Sequence, residues 1–395
     1  MLYSPDGFEP LADEPWDEQR VRAGIRAIVA DTYDAFDPEG LWPANEWDAW
    51  KQSVPLKDVY AGAAGIVWAL DALRRDGHAE PRTDLAAALD RALELYRAEP
   101  GFMVDIELPS TPDSSLLCGE AGILLVACRV APSAGRADAL FELVRKNVAN
   151  EAQELMWGAP GTMLAAHALH TSTGEESWAE VRRESADALL AGRDEDGLWA
   201  QHLHGTTHRF LGPVHGFAGN VHALLQVGGE WSDALRADAA AVLAREAVVE
   251  EGLATWPAIA GDTLEGNDSI IRLQWCHGAP GMVAAAADYL DEDLLLAGAE
   301  LTWQAGAHGD EKGHGLCHGT AGNGFALLKT FARTGDERWL ERARRFAVHA
   351  LLQAERRRGE LGVGRYSLLT GDVGVALFAA ACLEADARFP IVDRL

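Results

Sequence analysis

The motif Gly-x-x-Gly opens an apolar run at seven places along this chain. The glycine pairs are Gly62/Gly65, Gly119/Gly122, Gly158/Gly161, Gly216/Gly219, Gly278/Gly281, Gly319/Gly322 and Gly371/Gly374. Successive motifs lie about 40 to 60 residues apart, which is the spacing of a helical-hairpin repeat with variable insertions. Glycine at the start of a helix permits a tight entry turn and a close backbone approach that a Cβ would block. One such pair is often only a packing feature, but seven in phase with seven apolar runs predict a repeated architecture.

Two kinds of segment alternate along the chain. The stretches after the glycine pairs are apolar on all sides and therefore belong in a protein interior; they are 66–73, 123–130, 163–169, 221–227, 282–290, 325–331 and 375–383. The segments between them place apolar residues at helical spacing with charges between; they are 21–36, 84–97, 137–148, 178–190, 234–249, 291–303 and 337–353. The pattern predicts an all-α fold, an α/α toroid in which seven inner helices line a central cavity and seven outer helices cover them.

Length and composition limit the domain organisation. A chain of 395 residues, 48% of them hydrophobic, can bury a large core, and its length alone would allow two or three domains. Because no linker rich in Ser, Pro or Gly divides it, we predict one domain over 21–395, preceded by an acidic, proline-containing lead-in over 1–20. The sequence shows no charge-free membrane span and no basic region followed by an apolar one at its N-terminus, so we expect a cytoplasmic protein without a membrane partner.

The charge balance excludes one class of partner. The formal net charge is −27, and an acidic surface of this kind argues against binding to nucleic acid, whose phosphates require basic residues. A salt-rich cytoplasm and a GC-rich genome would each produce an acidic, lysine-poor chain, and the sequence leaves both open. Five cysteines, an odd number in a reducing compartment, argue against a disulfide framework.

Two of the seven motifs have a Cys-His pair directly before their first glycine. Cys276 and the Cys317–His318 pair occupy equivalent places in two repeats, so the three side chains converge if the inner helices begin at one end of the barrel. Two thiolates and one imidazole suit one zinc ion, and three protein ligands with a fourth position open are typical of a catalytic site. Soft thiolate ligands also suit a site that keeps another thiolate nucleophilic.

The remaining cysteines and histidines support blander interpretations. We expect Cys118, Cys128 and Cys382 to be small buried hydrophobic residues. His277 follows a candidate ligand and is interpreted as a neighbour of the site or a cavity residue. Three further histidines alternate in a segment that suits a loop near the cavity mouth better than a second metal site: His202, His204 and His208.

The segments 275–281 (WCHGAPG) and 315–323 (GLCHGTAGN) resemble the signature segments of the LanC-like family, the lanthionine synthetase cyclases and their stand-alone relatives. The resemblance extends over all seven repeats, from about residue 60 to residue 383, and includes 115–122 (SLLCGEAG) and 214–219 (VHGFAG). It implies an α/α toroid with a Cys-Cys-His zinc at the cavity mouth. The implied chemistry is the addition of a thiol to a dehydroalanine or dehydrobutyrine residue, which forms a thioether.

The same resemblance implies the partners. In the bacterial cyclases the thiol is a cysteine of the same dehydrated peptide, and in the relatives shared with animals it is glutathione, added to dehydrated residues of proteins. The chain shows no fused kinase or dehydratase segment, so dehydration would be carried out by another protein. We therefore expect a dehydrated peptide or protein as substrate, with glutathione as a second possible thiol.

Matching the family's motifs residue by residue implies specific site residues. The zinc ligands fall on Cys276, Cys317 and His318. The cavity histidine before the fourth glycine pair falls on His215, and the arginine four residues before the first zinc cysteine falls on Arg272. An acidic residue four before the third pair falls on Glu154, where the peptide cyclases usually have Asp. That departure, and His277 where those cyclases often have Tyr, lean towards the stand-alone relatives.

These residues suggest a division of labour. Arg272 is a candidate to stabilise the enolate that develops when a thiolate attacks, because its guanidinium stays protonated. His215 is a candidate acid that protonates the α-carbon or accepts the thiol proton, and Glu154 could orient His215 or hold the substrate backbone. Each residue also has a structural interpretation: His215 as a backbone partner, and Arg272 and Glu154 as members of ion pairs.

Three other classes remain open. A carbohydrate-active α/α toroid could stack sugars on aromatic residues in 42–50 and on Trp199 and Trp256, but it needs paired carboxylates or histidines and has no use for two cysteines. A prenyltransferase-like toroid also activates a thiol but normally has a partner subunit and an Asp ligand. A non-catalytic protein could use zinc to capture glutathione or a partner's thiol.

Overall fold

The computed structural model describes residues 2–50, 52–103, 106–264 and 271–395. Fourteen α-helices dominate these described residues. The seven that follow the glycine pairs, named here the Gly-x-x-Gly helices, are α2 (Ala63–Arg75), α4 (Glu120–Val130), α6 (Ala159–Thr173), α8 (Phe217–Val227), α10 (Ala279–Ala286), α12 (Thr320–Thr334) and α14 (Asp372–Glu384). The seven intervening helices are α1 (Glu18–Asp34), α3 (Leu85–Ala98), α5 (Ala134–Asn147), α7 (Glu176–Ala191), α9 (Ser232–Glu246), α11 (Glu292–Ala305) and α13 (Glu337–Leu361).

The predicted helical segments all overlap a helix of the structure, and two of them extend beyond their helix by more than two residues. The segment predicted over 282–290 ends as helix at Ala286. The segment predicted over 234–249 ends at Glu246, because its β-branched residues Val248 and Val249 form a short strand. Valine favours extended backbone, where its branched side chain packs without crowding a preceding helical turn.

The two sets of helices begin differently. Most intervening helices have a side-chain N-cap: Asp17 accepts the N–H of Arg20 in α1, and Asp84 accepts two N–H groups in α3. The Gly-x-x-Gly helices have glycine at the N-cap and no side-chain cap. The second glycine lies so close to the preceding turn that a Cβ on Gly65 would sit 2.1 Å from the carbonyl oxygen of Val59. Glycine is therefore required at this position, because backbone atoms of the preceding turn occupy the space that a side chain would need.

The Gly-x-x-Gly helices contact one another in a closed cycle. Each contacts the next member of the set along the chain, and α14 returns to contact α2. The intervening helices pack against them, as α3 does on α2 and α4, and α13 on α12 and α14. Most residues of the Gly-x-x-Gly helices are buried, while the intervening helices bury one face, so one continuous apolar cluster runs through the molecule.

Three short antiparallel ribbons accompany the helices. They pair β1 (Phe8–Glu9) with β6 (Ala307–His308), β2 (Gln201–Leu203) with β3 (Thr206–His208), and β4 (Val248–Glu250) with β5 (Leu253–Thr255). The first ribbon ties the lead-in to the body of the protein: Phe8 stacks on His308, and Glu9 accepts a hydrogen bond from His349 at 2.8 Å. Within the described residues, no helix combines the length and apolar character needed to cross a membrane.

Candidate metal centre and its cavity

Two neighbouring entry turns place three metal-binding side chains together. Cys276 precedes α10, and Cys317 and His318 precede α12; their ligand atoms all lie within 4.8 Å of one another. The turns are joined by their backbones, since the N–H of Cys276 donates to the carbonyl of Cys317 at 3.3 Å. This proximity follows from the repeat, because equivalent positions of adjacent helices lie side by side. The three predicted ligands are therefore brought to one place and form a possible metal site.

The surroundings of this cluster favour a thiolate. Burial alone would raise the pKa of Cys276, but its interaction with the neighbouring Cys317 side chain and the electrostatic effect of His318 hold that pKa well below the usual range. Gln274 donates a hydrogen bond to the Cys276 sulfur at 2.9 Å. One proton of the cysteine pair therefore leaves readily, while the other stays on Cys317, whose pKa burial and the neighbouring sulfur raise.

A buried carboxylate and a histidine form a pair close to the cluster. His215 Nδ1–H donates to Glu154 Oε2 at 3.0 Å, and Glu154 also accepts the backbone N–H groups of Met156 and Trp157. Glu154 is fully buried, whereas about 25% of the His215 side chain is exposed. Burial disfavours a charge on His215, but the hydrogen bond and charge of Glu154 outweigh it and raise the pKa of His215. The arrangement leaves Nε2 of His215 available to a bound molecule.

His277 and Arg272 complete the polar surroundings. The His277 ring lies parallel to that of His215 with 6.1 Å between centroids. Burial lowers the pKa of His277 to about 4, so this ring is neutral at physiological pH. Arg272 acts electrostatically on both rings and disfavours their protonation, which places its charge near the pair. The structure thus places His215 and Glu154 beside the cluster, with the charge of Arg272 within electrostatic range of His215 and His277.

Sequence reasoning missed Tyr60, which lines the cavity and interacts with the sulfurs of Cys317 and Cys276. Burial and these sulfurs raise the pKa of the Tyr60 hydroxyl, so it stays protonated. The position of Tyr60 within its repeat could have identified it. Tyr60 lies two residues before the first glycine of its pair, as Cys276 and Cys317 do in theirs.

A cavity of about 860 Å³ opens beside these residues. Tyr60, Asp58, Cys118 and His215 contribute polar groups to its lining, and His204 reaches it from the turn between β2 and β3. Cys118 was expected to be a buried hydrophobic residue; it is only partly buried and lines the cavity. Cys128 and Cys382 are buried in the Gly-x-x-Gly helices, as expected.

The aromatic residues considered for sugar stacking divide into two groups. Trp47 and Trp50 line the cavity. Trp199 and Trp256 do not face it: both are buried in the core and donate their indole N–H to the carbonyls of Leu189 and Leu243 at 2.7 Å. Tryptophan buried in this way packs helices together and is not exposed to a ligand.

The closed cycle of helices and the Cys-Cys-His cluster at their entry turns define a class, a helical protein with a possible metal site at its cavity. Residues 55–393 match the family of lanthionine synthetase C-like proteins, and the chain belongs to that family.

Two relatives and one solved structure are similar to parts or all of the chain. It is 35% identical over 138 residues to glutathione S-transferase LANCL1 of Danio rerio, a stretch that covers 32% of this chain and 33% of the relative. It is 30% identical over 138 residues to the LanC-like protein GCL1 of Arabidopsis thaliana, covering 32% and 31%. The matched stretch thus spans about a third of these relatives. The structure of nisin cyclase superposes with a TM-score of 0.57 over 92% of this chain and 94% of that one at 15% identity, which shows a shared fold.

Proposed function

We propose that this protein adds a thiol to dehydroalanine or dehydrobutyrine residues of a dehydrated peptide or protein, forming a thioether, with one zinc ion held by Cys276, Cys317 and His318. The observation that carries the proposal is that these three ligand atoms lie within 4.8 Å of one another, beside a cavity whose lining includes His215 and also Trp47, which contacts His318. A relative named as a glutathione S-transferase supports glutathione as one thiol donor, and a neighbour named as nisin cyclase is consistent with cyclisation by the substrate's own thiol.

The proposed architecture is a single α/α toroid over 21–395, with seven Gly-x-x-Gly helices inside and seven intervening helices outside. The closed cycle of contacts from α2 through α14 supports it. We also propose a cytoplasmic location, because a site built on two thiols works best where thiols stay reduced.

The three side chains suit zinc by their chemistry and spacing. Ligand atoms bound to one tetrahedral zinc at 2.0–2.3 Å lie about 3–4 Å apart, so the observed spacing needs only a small adjustment. Two sulfurs and one nitrogen are zinc's preferred donors, and three protein ligands leave a position open. When bound, zinc would lower the pKa of an incoming thiol and so supply a thiolate at neutral pH.

The addition is balanced without an oxidant or reductant. The thiol sulfur forms a bond to the β-carbon of the dehydro residue, the C=C π bond breaks, and a proton is delivered to the α-carbon. The thiol loses one proton and the α-carbon gains one. The product therefore contains all the atoms of the thiol and the alkene. The protein must therefore provide an acid for the α-carbon and a positive charge for the amide oxygen that becomes an enolate.

His215 is the proposed acid. Its Nδ1–H is engaged by Glu154, so the remaining nitrogen, Nε2, carries the transferable proton towards the cavity. Because the Glu154 carboxylate raises the pKa of His215, a protonated fraction persists at neutral pH. Glu154 is thus a positioning residue, itself fixed by two backbone N–H groups. Arg272 is the candidate that stabilises the enolate oxygen.

The carbohydrate alternative finds little support in the cavity. Glycosidases need two carboxyl groups free to act as acid and base. Among the described residues, three carboxylates line the cavity: Glu46, Asp48 and Asp58. Asp48 is paired with Arg365 and Asp58 accepts two backbone N–H groups, which leaves Glu46 where the reaction needs two. Asp48 and Asp58 serve the protein's own structure.

Mass spectrometry tests the reaction directly. A dehydroalanine peptide, with and without an internal cysteine, is incubated with the zinc-loaded protein and glutathione. A glutathione adduct would assign the chain glutathione as donor, and a ring at unchanged mass with the free thiol lost would assign it peptide cyclisation. If neither peptide gave a product, the proposed reaction would be contradicted. Binding of a thiol without turnover would then be the remaining function.

The metal assignment is tested by Cys317→Ala, with Cys382→Ala as matched control. Cys317→Ala is expected to lose stoichiometric zinc, measured by elemental analysis, together with turnover. Cys382 is buried in α14, outside the metal-binding group found among the described residues, so its variant is expected to keep both. A fully active, metal-loaded Cys317→Ala protein would contradict the proposal.

A further inference from the structure

Two tryptophans stand on the rim of the cavity with most of their surface exposed. Trp47 is 53% exposed and Trp50 is 60% exposed, and both line the cavity. Large aromatic side chains bury much apolar area when something covers them, so exposure of two in one place marks a contact surface. Eleven other tryptophans in the chain do not share this degree of exposure.

The segment that carries these tryptophans is held in place by long-range contacts. Asp48, between them, is buried and accepts the Nε–H of Arg365 at 2.8 Å, from a residue 317 positions further along the chain. The Arg365 guanidinium also lies over the Trp47 ring at 4.8 Å. A bidentate, partly buried pair of this kind fixes geometry better than an exposed one. The position of Trp47 is therefore built into the fold.

Trp47 connects this rim to the metal centre. Its ring meets the ring of His318 edge-on, with 5.7 Å between centroids. Successive residues of an extended peptide are about 3.3 Å apart. A peptide whose reacting residue lies at the cluster would thus place its neighbouring side chains against Trp47 and Trp50.

The facing wall is also apolar. Phe102, Met103, Ile106 and Met156 line it, and Phe102 contacts the ring of Trp157 at 5.9 Å between centroids. Methionine and aromatic side chains adapt to varied apolar partners. A volume of about 860 Å³ lies at the upper end of small-molecule pockets, which are about 300–1,000 Å³, so the space accommodates more than the reacting residue itself.

We propose that Trp47 and Trp50, with the facing apolar wall, form a specificity subsite for a bulky apolar or aromatic residue next to the dehydro residue of a peptide substrate. The inference rests on the proposed function, because it places the reacting residue at the Cys-Cys-His cluster. It assigns the cavity a peptide of stated chemistry as its occupant. A polar substrate residue at this position would cover the two tryptophans without making apolar contacts with them.

The test uses two pairs of acetylated, amidated pentapeptides. In one pair the residue at the centre is dehydroalanine and both neighbours are either Phe or Ala; the other pair has alanine at the centre and cannot react. Binding of the unreactive pair to the full-length, zinc-loaded protein is measured by calorimetry, and kcat/KM of the reactive pair by mass spectrometry with N-acetylcysteine amide as thiol. We expect the Phe peptide to exceed the Ala peptide about tenfold in both affinity and kcat/KM.

Trp50→Ala is the diagnostic variant, because Trp50 is the more exposed of the two tryptophans that line the cavity. It is expected to lower the Phe-to-Ala ratio towards one in both measurements. Trp47→Ala should do the same, with zinc content measured because Trp47 contacts His318. Trp231→Ala, which alters a partly exposed tryptophan at the start of α9 that does not line the cavity, should keep the wild-type ratio.

The outcomes separate this inference from the proposed function. A wild-type protein that reacts equally with both peptides, or a Trp50→Ala variant that retains the tenfold ratio, overturns the subsite while leaving thioether formation intact. Absence of product with every peptide contradicts the proposed function. The unreactive pair then still decides the subsite, since a tenfold binding preference lost in Trp50→Ala upholds it and equal binding overturns it.

Discussion

Two histidine–carboxylate pairs lie at the entry turns of the Gly-x-x-Gly helices, and they have the same chemistry in different surroundings. His215 and Glu154 are 3.0 Å apart beside the cavity, with a quarter of the histidine side chain exposed. His314 and Asp372 are 2.7 Å apart and sealed, with side chains 5% and 3% exposed. The first pair can meet a substrate; the second can only join the turn before α12 to the first residue of α14. Access to the cavity, and not the pair itself, therefore distinguishes a reactive group from a structural one.

The largest effect is expected when the His215–Glu154 pair loses its reactive member, His215. His215→Asn should lower turnover by roughly 100-fold or more, because it removes the proposed acid, while zinc content and the melting temperature stay near wild type. The matched variant His314→Asn should keep turnover per folded molecule within about twofold. Steady-state kinetics with metal analysis checks both. If the two variants lost turnover equally, accessibility would not be what separates the pairs.

Breaking the sealed pair should affect stability instead. Asp372→Ala leaves His314 without its acceptor and removes the partner of the Arg365 N–H, both in buried surroundings. We expect a loss of about 2–3 kcal/mol in the free energy of unfolding. Urea denaturation of the zinc-loaded protein measures it. A loss below about 0.5 kcal/mol would show that the interior tolerates an unpaired His314.

A smaller effect should appear in the pH dependence. The carboxylate of Glu154 raises the pKa of His215 above its ordinary 6.5, so the pair's contribution to stability is complete below that value and is lost as pH rises through the raised pKa. Protonated His215, and turnover that requires it, should decline over the same range. Glu154→Gln removes the charge and should move the decline to lower pH, with a loss of roughly tenfold or less at pH 8.

A pH–rate profile of Glu154→Gln beside wild type, from pH 5.5 to 9, makes the comparison. Zinc content at each pH is the control, because loss of metal would also lower the rate. An unchanged profile would mean that Glu154 does not set the protonation of His215.

The smallest effect is expected for a third pair, whose histidine is buried but whose carboxylate is exposed. His78 and Glu384 are 2.9 Å apart, but the Glu384 side chain is 44% exposed. Water already solvates this carboxylate, so Glu384→Gln should change the free energy of unfolding by less than about 1 kcal/mol and leave turnover unchanged. Thermal unfolding of this variant beside Asp372→Ala would show how the value of one kind of pair depends on burial. A loss as large as that of Asp372→Ala would contradict this ordering.

The parts of the fold and site that could be predicted from the sequence are those that repeat. Apolar runs after glycine pairs predict buried helices, and a shared place in the repeat brings Cys276, Cys317 and His318 together once adjacent turns align. The same register explains how Glu154 and His215, from the third and fourth repeats, come within hydrogen-bond distance. Their catalytic roles remain proposals. Periodic sequence patterns predict the local geometry of each helix. In a closed repeat, equivalent positions of neighbouring helices also lie close together in space.

The rest depends on contacts that no local pattern encodes. The position of Trp47 depends on Arg365, 317 residues beyond Asp48, and the pairing of β1 with β6 likewise joins distant segments. Whether a tryptophan faces a cavity or the core also escaped the sequence, since Trp50 and Trp199 differ in neighbours and not in type. Such contacts arise only after the whole chain has closed on itself.

The contact between α2 and α14 has a consequence for how the protein is made. α2 ends at Arg75, whereas its partner begins at Asp372. At about 5–20 residues per second, a ribosome would deliver α14 tens of seconds after α2 has emerged. During that interval, the apolar side of α2 that will contact α14 is uncovered and can contact other nascent chains. Chaperone binding during synthesis would therefore matter most at the first repeat, and release should coincide with the emergence of the last.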